Sequence, residues 1–235
     1  RVDVLVVAEP GFSQQVLLPS LVGQELTYVL RVVDPVTGVG VTDTVIRGST
    51  ALVRTGDPVG GTVGWTWSSF TQVIATRSGR VFVAGLALEP TTNTDKFMIA
   101  EITLNDVLAN GWDFFPGVTR RISWNRFAVS PDGLHWALTA ITRVTQEYML
   151  IRDGAIEEFA PGFTAYEGEP VPSAISGNTQ STWYTFENLA INDRGDLCFA
   201  GSWFTPGVTG PDRAWIRNGR AIPGVAGFRV TLDER

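Results

Sequence analysis

Three stretches of the sequence share one pattern around a glycine: FTQVIATRSG at 70–79, WNRFAVSPDG at 124–133 and FENLAINDRG at 186–195. An aromatic residue stands nine positions before each glycine, and apolar residues stand six and four positions before it. Apolar residues return three and five positions after it: Phe82 and Ala84, Trp136 and Leu138, Cys198 and Ala200. This alternation predicts two strands joined by a tight turn in which the glycine takes a positive φ.

The pattern recurs along the whole chain. A weaker fourth copy turns near Gly23, and the four glycines are then 56, 54 and 62 residues apart. A second pair of strands is predicted in each copy. These pairs are 44–48 with 51–54, 96–102 with an irregular strand around 112–115, 148–154 with 155–159, and 214–219 with 220–222. The segment from Leu104 to Ala109 is the one place where a short turn of helix is expected.

Four antiparallel strands in about 55 residues, repeated about four times, are typical of propeller blades. A β-sandwich has similar strands but lacks this phased repetition. The sequence therefore predicts an all-β fold, a β-propeller of about four to five four-stranded antiparallel blades in one domain over 1–235. The repeats are placed at approximately 11–62, 63–116, 117–176 and 177–227.

Two apolar strands remain outside these repeats, at 2–9 and 228–232. Either they share a blade and close a ring, or they pair with a neighbouring molecule, because an unpaired apolar strand promotes association. The candidate assembly residues are Val2, Val4, Val6, Phe228, Val230 and Leu232.

Composition narrows the possible partners and the compartment. A net charge of −6 argues against nucleic acid, which needs clustered positive charge. The apolar runs are strand-sized, so no membrane span is expected. Cys198 is the one cysteine and reads as a small buried hydrophobe. Few cysteines, and a start at Arg1 as in a mature form or a fragment, suit an extracellular or cell-surface protein, with the periplasm as the alternative.

Part of the chain resembles a known group of proteins. GDPVGGT at 56–62, Phe70 and INDRGDLCFA at 191–200 are similar to the repeats of secreted bacterial β-propeller proteins, which read roughly GDPxxGT, F and NDxGxVxF. The turn SPDG at 130–133 resembles that of TolB-type and WD40-like blades. The resemblance runs from Gly56 to about Gly227 and implies a propeller fold, but it carries no activity, because propellers serve many functions.

The sequence gives little support for a catalytic site or a metal site. His135 is the only histidine, no GxSxG elbow occurs, and the turn around it misses the Asp-box spacing by one residue. Acidic residues that could flank a glycosidic bond are scattered: Asp113, Glu147, Glu157, Glu158, Glu167, Glu169 and Glu187. The loop 192–196 gathers oxygens and contains an Arg-Gly-Asp tripeptide, yet an Asx-type turn explains it better than calcium or cell adhesion. No metal, cofactor or catalytic residue is predicted.

Aromatic residues are the most suggestive binding candidates. Several of the eight tryptophans fall in loop-like stretches, where exposed rings stack on sugars or anchor protein contacts. The candidate ligand-binding residues are Trp65, Trp67, Trp112, Trp183, Tyr184 and Trp203.

Three functions are compatible with these features. The first is a non-catalytic structural or interaction module that self-assembles through its terminal strands or binds another surface protein. The second is a glycan-binding lectin or glycan-active propeller that uses the loop aromatics. The third is a periplasmic scaffold of the TolB kind.

Overall fold

The computed structural model describes residues 13–104, 106–110, 122–142 and 145–222. Within these ranges the regular structure is β-strand, apart from one helical turn, α1, at Ser173–Ser176. Four sheets have four antiparallel strands each, which confirms the all-β prediction and the four-stranded antiparallel sheets.

Sheet I comes first in the chain, and its strands pair in chain order. The strands are β1 at Ser13–Val22, β2 at Glu25–Val33, β3 at Gly40–Arg47 and β4 at Thr50–Arg54. Val22 pairs with Glu25, so the β1–β2 turn is tight, and its glycine, Gly23, has φ +62°. Three consecutive residues are buried at the centre of β2 and of β3, so both faces of the sheet are covered there.

Sheet II follows the same order. Its strands are β5 at Thr66–Ala75, β6 at Val81–Glu89, β7 at Thr94–Glu101 and β8 at Asp106–Asn110. The helical turn expected at 104–109 is wrong, because β8 pairs with β7 from Asp106 opposite Glu101 to Asn110 opposite Met98. A short apolar run does not distinguish a strand from a helix by periodicity. The fourth strand of this sheet therefore precedes 112–115, which lies outside the described residues.

Sheet III ends in two short strands, and a small hairpin and α1 follow it. The strands are β9 at Ile122–Val129, β10 at Trp136–Thr142, β11 at Tyr148–Arg152 and β12 at Ala155–Ile156. The hairpin is β13 at Glu158–Ala160 with β14 at Phe163–Thr164. Ala165 then donates to the carbonyl of Glu157 at 2.8 Å, which holds the connection close to β12.

Sheet IV completes the described chain. Its strands are β15 at Thr182–Ile191, β16 at Leu197–Phe204, β17 at Asp212–Arg217 and β18 at Arg220–Ala221. The turns before β6, β10 and β16 contain Gly79, Gly133 and Gly195, with φ values of +88°, +78° and +74°. The predicted positive φ at these three turn glycines is therefore confirmed, and it explains the shared pattern.

The chain divides into two compact units, each with its own core. Unit 1 is Arg1–Thr119 with Pro131–Gly133, and unit 2 is 120–130 with 134–235. The core of unit 1 is mostly valine, from Val29 and Val45 of sheet I to Val83 of sheet II. The core of unit 2 is rich in aromatic rings from sheet IV.

Candidate functional site

Three of the predicted ligand-binding aromatics lie in the interior. Trp67 in β5, Trp183 in β15 and Trp203 in β16 expose 2%, 1% and 5% of their surface. The rings of Trp183 and Trp203 are nearly perpendicular with centroids 6.1 Å apart, and neither indole N–H has a hydrogen-bond partner. The expectation that these residues lie in loops is wrong, because strand alternation turns each ring toward a core.

The remaining aromatic candidates differ in their exposure. Trp65 is half-buried, with the Lys96 ammonium 5.2 Å from its ring centroid. Tyr184 is 38% exposed and contacts Phe204, which is 44% exposed, with ring centroids 4.8 Å apart. Trp112 lies outside the described residues. A ligand role for any of these side chains stays a prediction, and Tyr184 is the candidate with a ring open to solvent.

Phe204 is an exposed aromatic residue that the sequence reasoning did not single out. It ends β16 opposite Thr182, one position beyond the buried Trp203. Its exposure could have been predicted from strand alternation, because the residue after an inward-facing one faces outward. The assembly candidates Val2, Val4, Val6, Phe228, Val230 and Leu232 lie outside the described residues.

The only histidine supports a turn. The Nδ1 atom of His135 is 3.0 Å from a carboxylate oxygen of Asp153, and its backbone N–H donates to the Oγ of Ser130 at 2.9 Å. Ser130 is completely buried. The ring lies against the turn glycine Gly195, where an added Cβ would be 3.4 Å away. The buried Ser130 side chain is closed to a substrate, and the His135 ring packs against the next turn.

Most of the candidate carboxylates that the structure describes bind neighbouring groups of the protein. Glu157 is 8% exposed and pairs with Arg152 at 2.8 Å, and burial raises the pKa of Glu157. Glu147 accepts a hydrogen bond from the Tyr166 hydroxyl at 2.6 Å.

Glu158 accepts a hydrogen bond from the backbone N–H of Gly162, and Glu167 accepts one from the backbone N–H of Tyr148. Glu187 pairs with Arg213. Glu169 is exposed. Asp113 lies outside the described residues. Within the part of the chain that the structure describes, no group of three or more His, Cys, Asp and Glu could hold a metal ion.

The 192–196 loop is held by its own side chains. The Asn192 Oδ1 atom accepts hydrogen bonds from the backbone N–H groups of Arg194 at 3.0 Å and Asp196 at 2.9 Å, as in an Asx turn. The Asp196 carboxylate accepts from Asn218 at 2.8 Å, Arg217 at 3.0 Å and Asn192 at 3.1 Å. These donors lower the pKa of Asp196 to about 2. Protein donors therefore occupy the oxygens that a calcium ion would need.

An arginine contact recurs at the turn glycines, and the sequence analysis did not find it. In each case an arginine guanidinium donates to the turn-glycine carbonyl: Arg47 to Gly79, Arg80 to Gly133, and Arg152 to Gly195 at 3.1 Å. Each arginine also pairs with a glutamate: Arg47 with Glu25, Arg80 with Glu101 and Arg152 with Glu157. We call this arrangement the arginine–turn link.

The link has a fixed place in each sheet. Arg47 and Arg152 are the last residues of the third strands of sheets I and III. In sheet II the last residue of the third strand is Glu101, and its partner Arg80 stands just before β6. The arginine–glutamate pair is therefore present here too, but with the glutamate at the strand end. An arginine's planar fork suits this position, because it can serve a carboxylate and a carbonyl at once. The link therefore fixes the turn that follows in the chain.

Comparison of the chain with protein-family models and with curated proteins returns no match. In the described ranges, no helix is long and apolar enough to cross a membrane.

Proposed function

We propose that the chain is a β-propeller of four to five blades that acts outside the cell or at its surface, as a non-catalytic module that binds copies of itself. The observation that carries this proposal is the exposed pair of Tyr184 and Phe204 on sheet IV. Neighbouring exposed aromatic rings are more typical of a protein contact than of a monomer surface. The successive four-stranded sheets and their arginine–turn links support the propeller part of the proposal.

Light scattering tests self-association directly. The purified chain is measured over about a hundredfold range of concentration, and we expect its mass to rise above 25.5 kDa as the concentration increases. Deletion of residues 1–9 tests the role of the terminal strand and is expected to reduce association. A stable monomer over the whole range contradicts the proposal.

Glycan binding is the second candidate function, and the same Tyr184–Phe204 pair favours it. Aromatic faces stack on sugar rings, and here two rings lie side by side at the surface. Labelled protein on a glycan array is expected to bind a defined set of sugars. Tyr184→Ala should remove that binding, whereas Tyr148→Phe, in the third strand of sheet III, should keep it. An array without binding rejects this candidate and leaves self-association standing.

A further inference from the structure

In sheet IV the position of the arginine–turn link is held by Arg217, which binds no turn in the part of the chain that the structure describes. Arg217 ends the third strand of this sheet, as Arg47 and Arg152 end theirs. It pairs with Asp196 at 3.0 Å, as the other link arginines pair with a glutamate. Among the described residues, however, Arg217 donates to no turn carbonyl, and its side chain is 60% exposed.

The direction of Arg217 matches that of the other link arginines. Val45 lies in the core that sheet I shares with sheet II, and Leu150 in the core that sheet III shares with sheet IV. Arg47 and Arg152 come two positions later in the same strands, so each faces the sheet that follows its own. Ile216 lies in the core that sheet IV shares with the preceding sheet, so its neighbour Arg217 faces away from sheet III. Tyr184 and Phe204 are the exposed rings of sheet IV, and the alternation from the buried Trp203 places Phe204 on that same side.

Sheet I has the opposite arrangement: a turn glycine that no arginine among the described residues approaches. Its tight turn at Gly23 is exposed, and no atom lies within 4 Å of the place where a Cβ would be. The other turn glycines are approached there by arginine or histidine atoms, at 3.5 Å for Gly79, 3.0 Å for Gly133 and 3.4 Å for Gly195. The described residues thus contain one arginine at the link position that donates to no turn carbonyl, and one tight turn that no arginine approaches.

Apolar groups accompany this turn. Val16 is 44% exposed and pairs with Leu30, and Leu21 is 60% exposed and pairs with Leu26. Both lie on the face of sheet I opposite to Val29, which is in the core. The outward faces of sheets I and IV therefore each combine exposed apolar side chains with half of an arginine–turn link.

Resting on the proposed self-association, we propose that Arg217 of one copy donates to the backbone carbonyl at the Gly23 turn of a second copy. Tyr184 and Phe204 then pack on Val16 and Leu21 of that copy. The two surfaces differ, so the contact is heterologous and leaves one free half at each end. Successive copies therefore add head to tail, so the propeller of the proposed function is completed by a second copy and not within one chain.

The charge of Arg217 favours a carbonyl over an anionic ligand. Asp196 already neutralises the guanidinium, and the same is true of the three glutamate-paired arginines that bind turn carbonyls. A phosphate or a second carboxylate would have to approach beside Asp196 and be repelled by it. A neutral peptide oxygen meets no such repulsion.

The first test substitutes the arginine and measures the association constant by sedimentation equilibrium. Arg217→Ala is expected to weaken association at least about tenfold, because it removes a charged hydrogen bond donor. Arg217→Lys keeps the charge but loses the fork, so it should restore little of the affinity. Arg194→Ala removes a charge from the turn between β15 and β16 and serves as the matched control, and its association should equal that of the parent chain. Association unchanged in Arg217→Ala overturns the proposal.

Cross-linking tests the geometry without depending on stability. Cys198→Ala first removes the native thiol, and Arg220→Cys, which pairs with Arg217 across β17 and β18, and Gln24→Cys are then placed on separate chains and mixed with a short bismaleimide cross-linker. A covalent dimer is expected from this pair, because Arg217 stays in place and the cross-linker spans the distance that an arginine side chain would cover. The control pair Arg194→Cys with Gln24→Cys should stay monomeric. Equal cross-linking of both pairs, or of neither, overturns the proposal.

The outcomes separate this inference from the proposed function. If the parent chain associates and neither Arg217 variant changes it, self-association stands and the link between copies is rejected. If the parent chain stays monomeric, both are rejected. If both cysteines placed in one chain close only within that chain, the Gly23 turn is bound by its own copy, and the second copy is rejected as the partner.

Discussion

Gly85 in sheet II and Gly201 in sheet IV occupy the same place and are needed for different reasons. Each pairs with a buried phenylalanine of the preceding strand, Phe70 or Phe186. A Cβ added at Gly85 would lie 2.1 Å from the backbone oxygen of Ser69. At Gly201 it would meet side chains, 2.6 Å from the Cδ1 atom of Ile216 and 2.8 Å from the Trp183 ring. One glycine admits a close backbone approach, and the other makes room for a large core.

The two cores explain this difference. In unit 1 the strands beside Gly85 carry valines, and Phe70 packs on the Trp67 ring with centroids 5.3 Å apart. In unit 2 the Trp183 ring contacts Phe186, Phe199, Trp203 and Phe159. Sheets with one sequence pattern thus fill their interiors in two ways.

Trp183→Ala is expected to have the largest effect, about 3–5 kcal/mol in the free energy of unfolding. It removes the ring at the centre of the aromatic core, which is 1% exposed. Urea unfolding followed by circular dichroism measures the loss. Trp183→Phe is the matched variant and should cost much less, because the indole N–H makes no hydrogen bond that would be lost. Equal losses in the two variants would show that ring volume is not what stabilises unit 2.

Gly85→Ala and Gly201→Ala test the comparison itself. We expect Gly85→Ala to cost about 3 kcal/mol, since the backbone of β5 must move to relieve the clash. Gly201→Ala should cost about 1–2 kcal/mol, because the Ile216 terminus and the Trp183 ring can shift. The same urea experiment measures both. A larger loss for Gly201→Ala would mean that the aromatic core is more rigid than the backbone contact.

The glutamates of two arginine–turn links provide the third test. Burial acts to raise the pKa of Glu101, but Arg80 and Thr103 outweigh it, and the pKa is lowered. Burial raises the pKa of Glu157, because Arg152 opposes it only partly and Asp153 adds to it. Glu101→Gln is therefore expected to cost about 2 kcal/mol at pH 7, whereas Glu157→Gln should cost little.

Their pH dependences have opposite signs. The contribution of Glu101 is present above its ordinary pKa of 4.5 and is lost as the pH falls through its lower folded pKa. The contribution of Glu157 is present below pH 4.5 and is lost as the pH rises through its higher folded pKa. Unfolding free energies at several pH values from 3.5 to 7 check this. Parallel pH profiles for the two variants would contradict the assignment.

Most of the strands could be predicted from sequence, because alternation with turn glycines is a local signal. The predicted pair at 214–222 and the strands that flank Gly79 illustrate this. The strand β8 was missed because five residues show no clear period. The buried tryptophans were misplaced because Gly and Thr beside them resemble loop sequence, although bulges near Trp67 and Trp183 keep them in strands.

The arginine–turn links lay beyond sequence reasoning for a different reason. Arg47 and Gly79 are 32 residues apart, and Arg152 and Gly195 are 43 apart. Arginines at strand ends usually read as solvated surface charge, and the exchange of Arg80 with Glu101 hides the repeat in sheet II. These arginines are identified as one recurring link only by the three-dimensional contacts that they make with the turn glycines.

Asp196→Asn is expected to have the smallest effect, confined to acid pH. In the folded chain the pKa of Asp196 is about 2, against an ordinary value of 3.8, because Asn218, Arg217 and Asn192 hold the carboxylate. Its contribution is therefore present above pH 3.8 and is lost as the pH falls toward 2. An acid titration followed by tryptophan fluorescence should show a shallower loss of stability in this window for Asp196→Asn than for the parent chain. Asp193→Asn removes the same charge from the same loop and leaves Asp196 with its three donors in place, so it serves as the control. Identical acid profiles for Asp196→Asn and the parent chain would mean that the 192–196 loop does not depend on this carboxylate, and that the pairing of Arg217 with Asp196 does not prepare the arginine for a carbonyl.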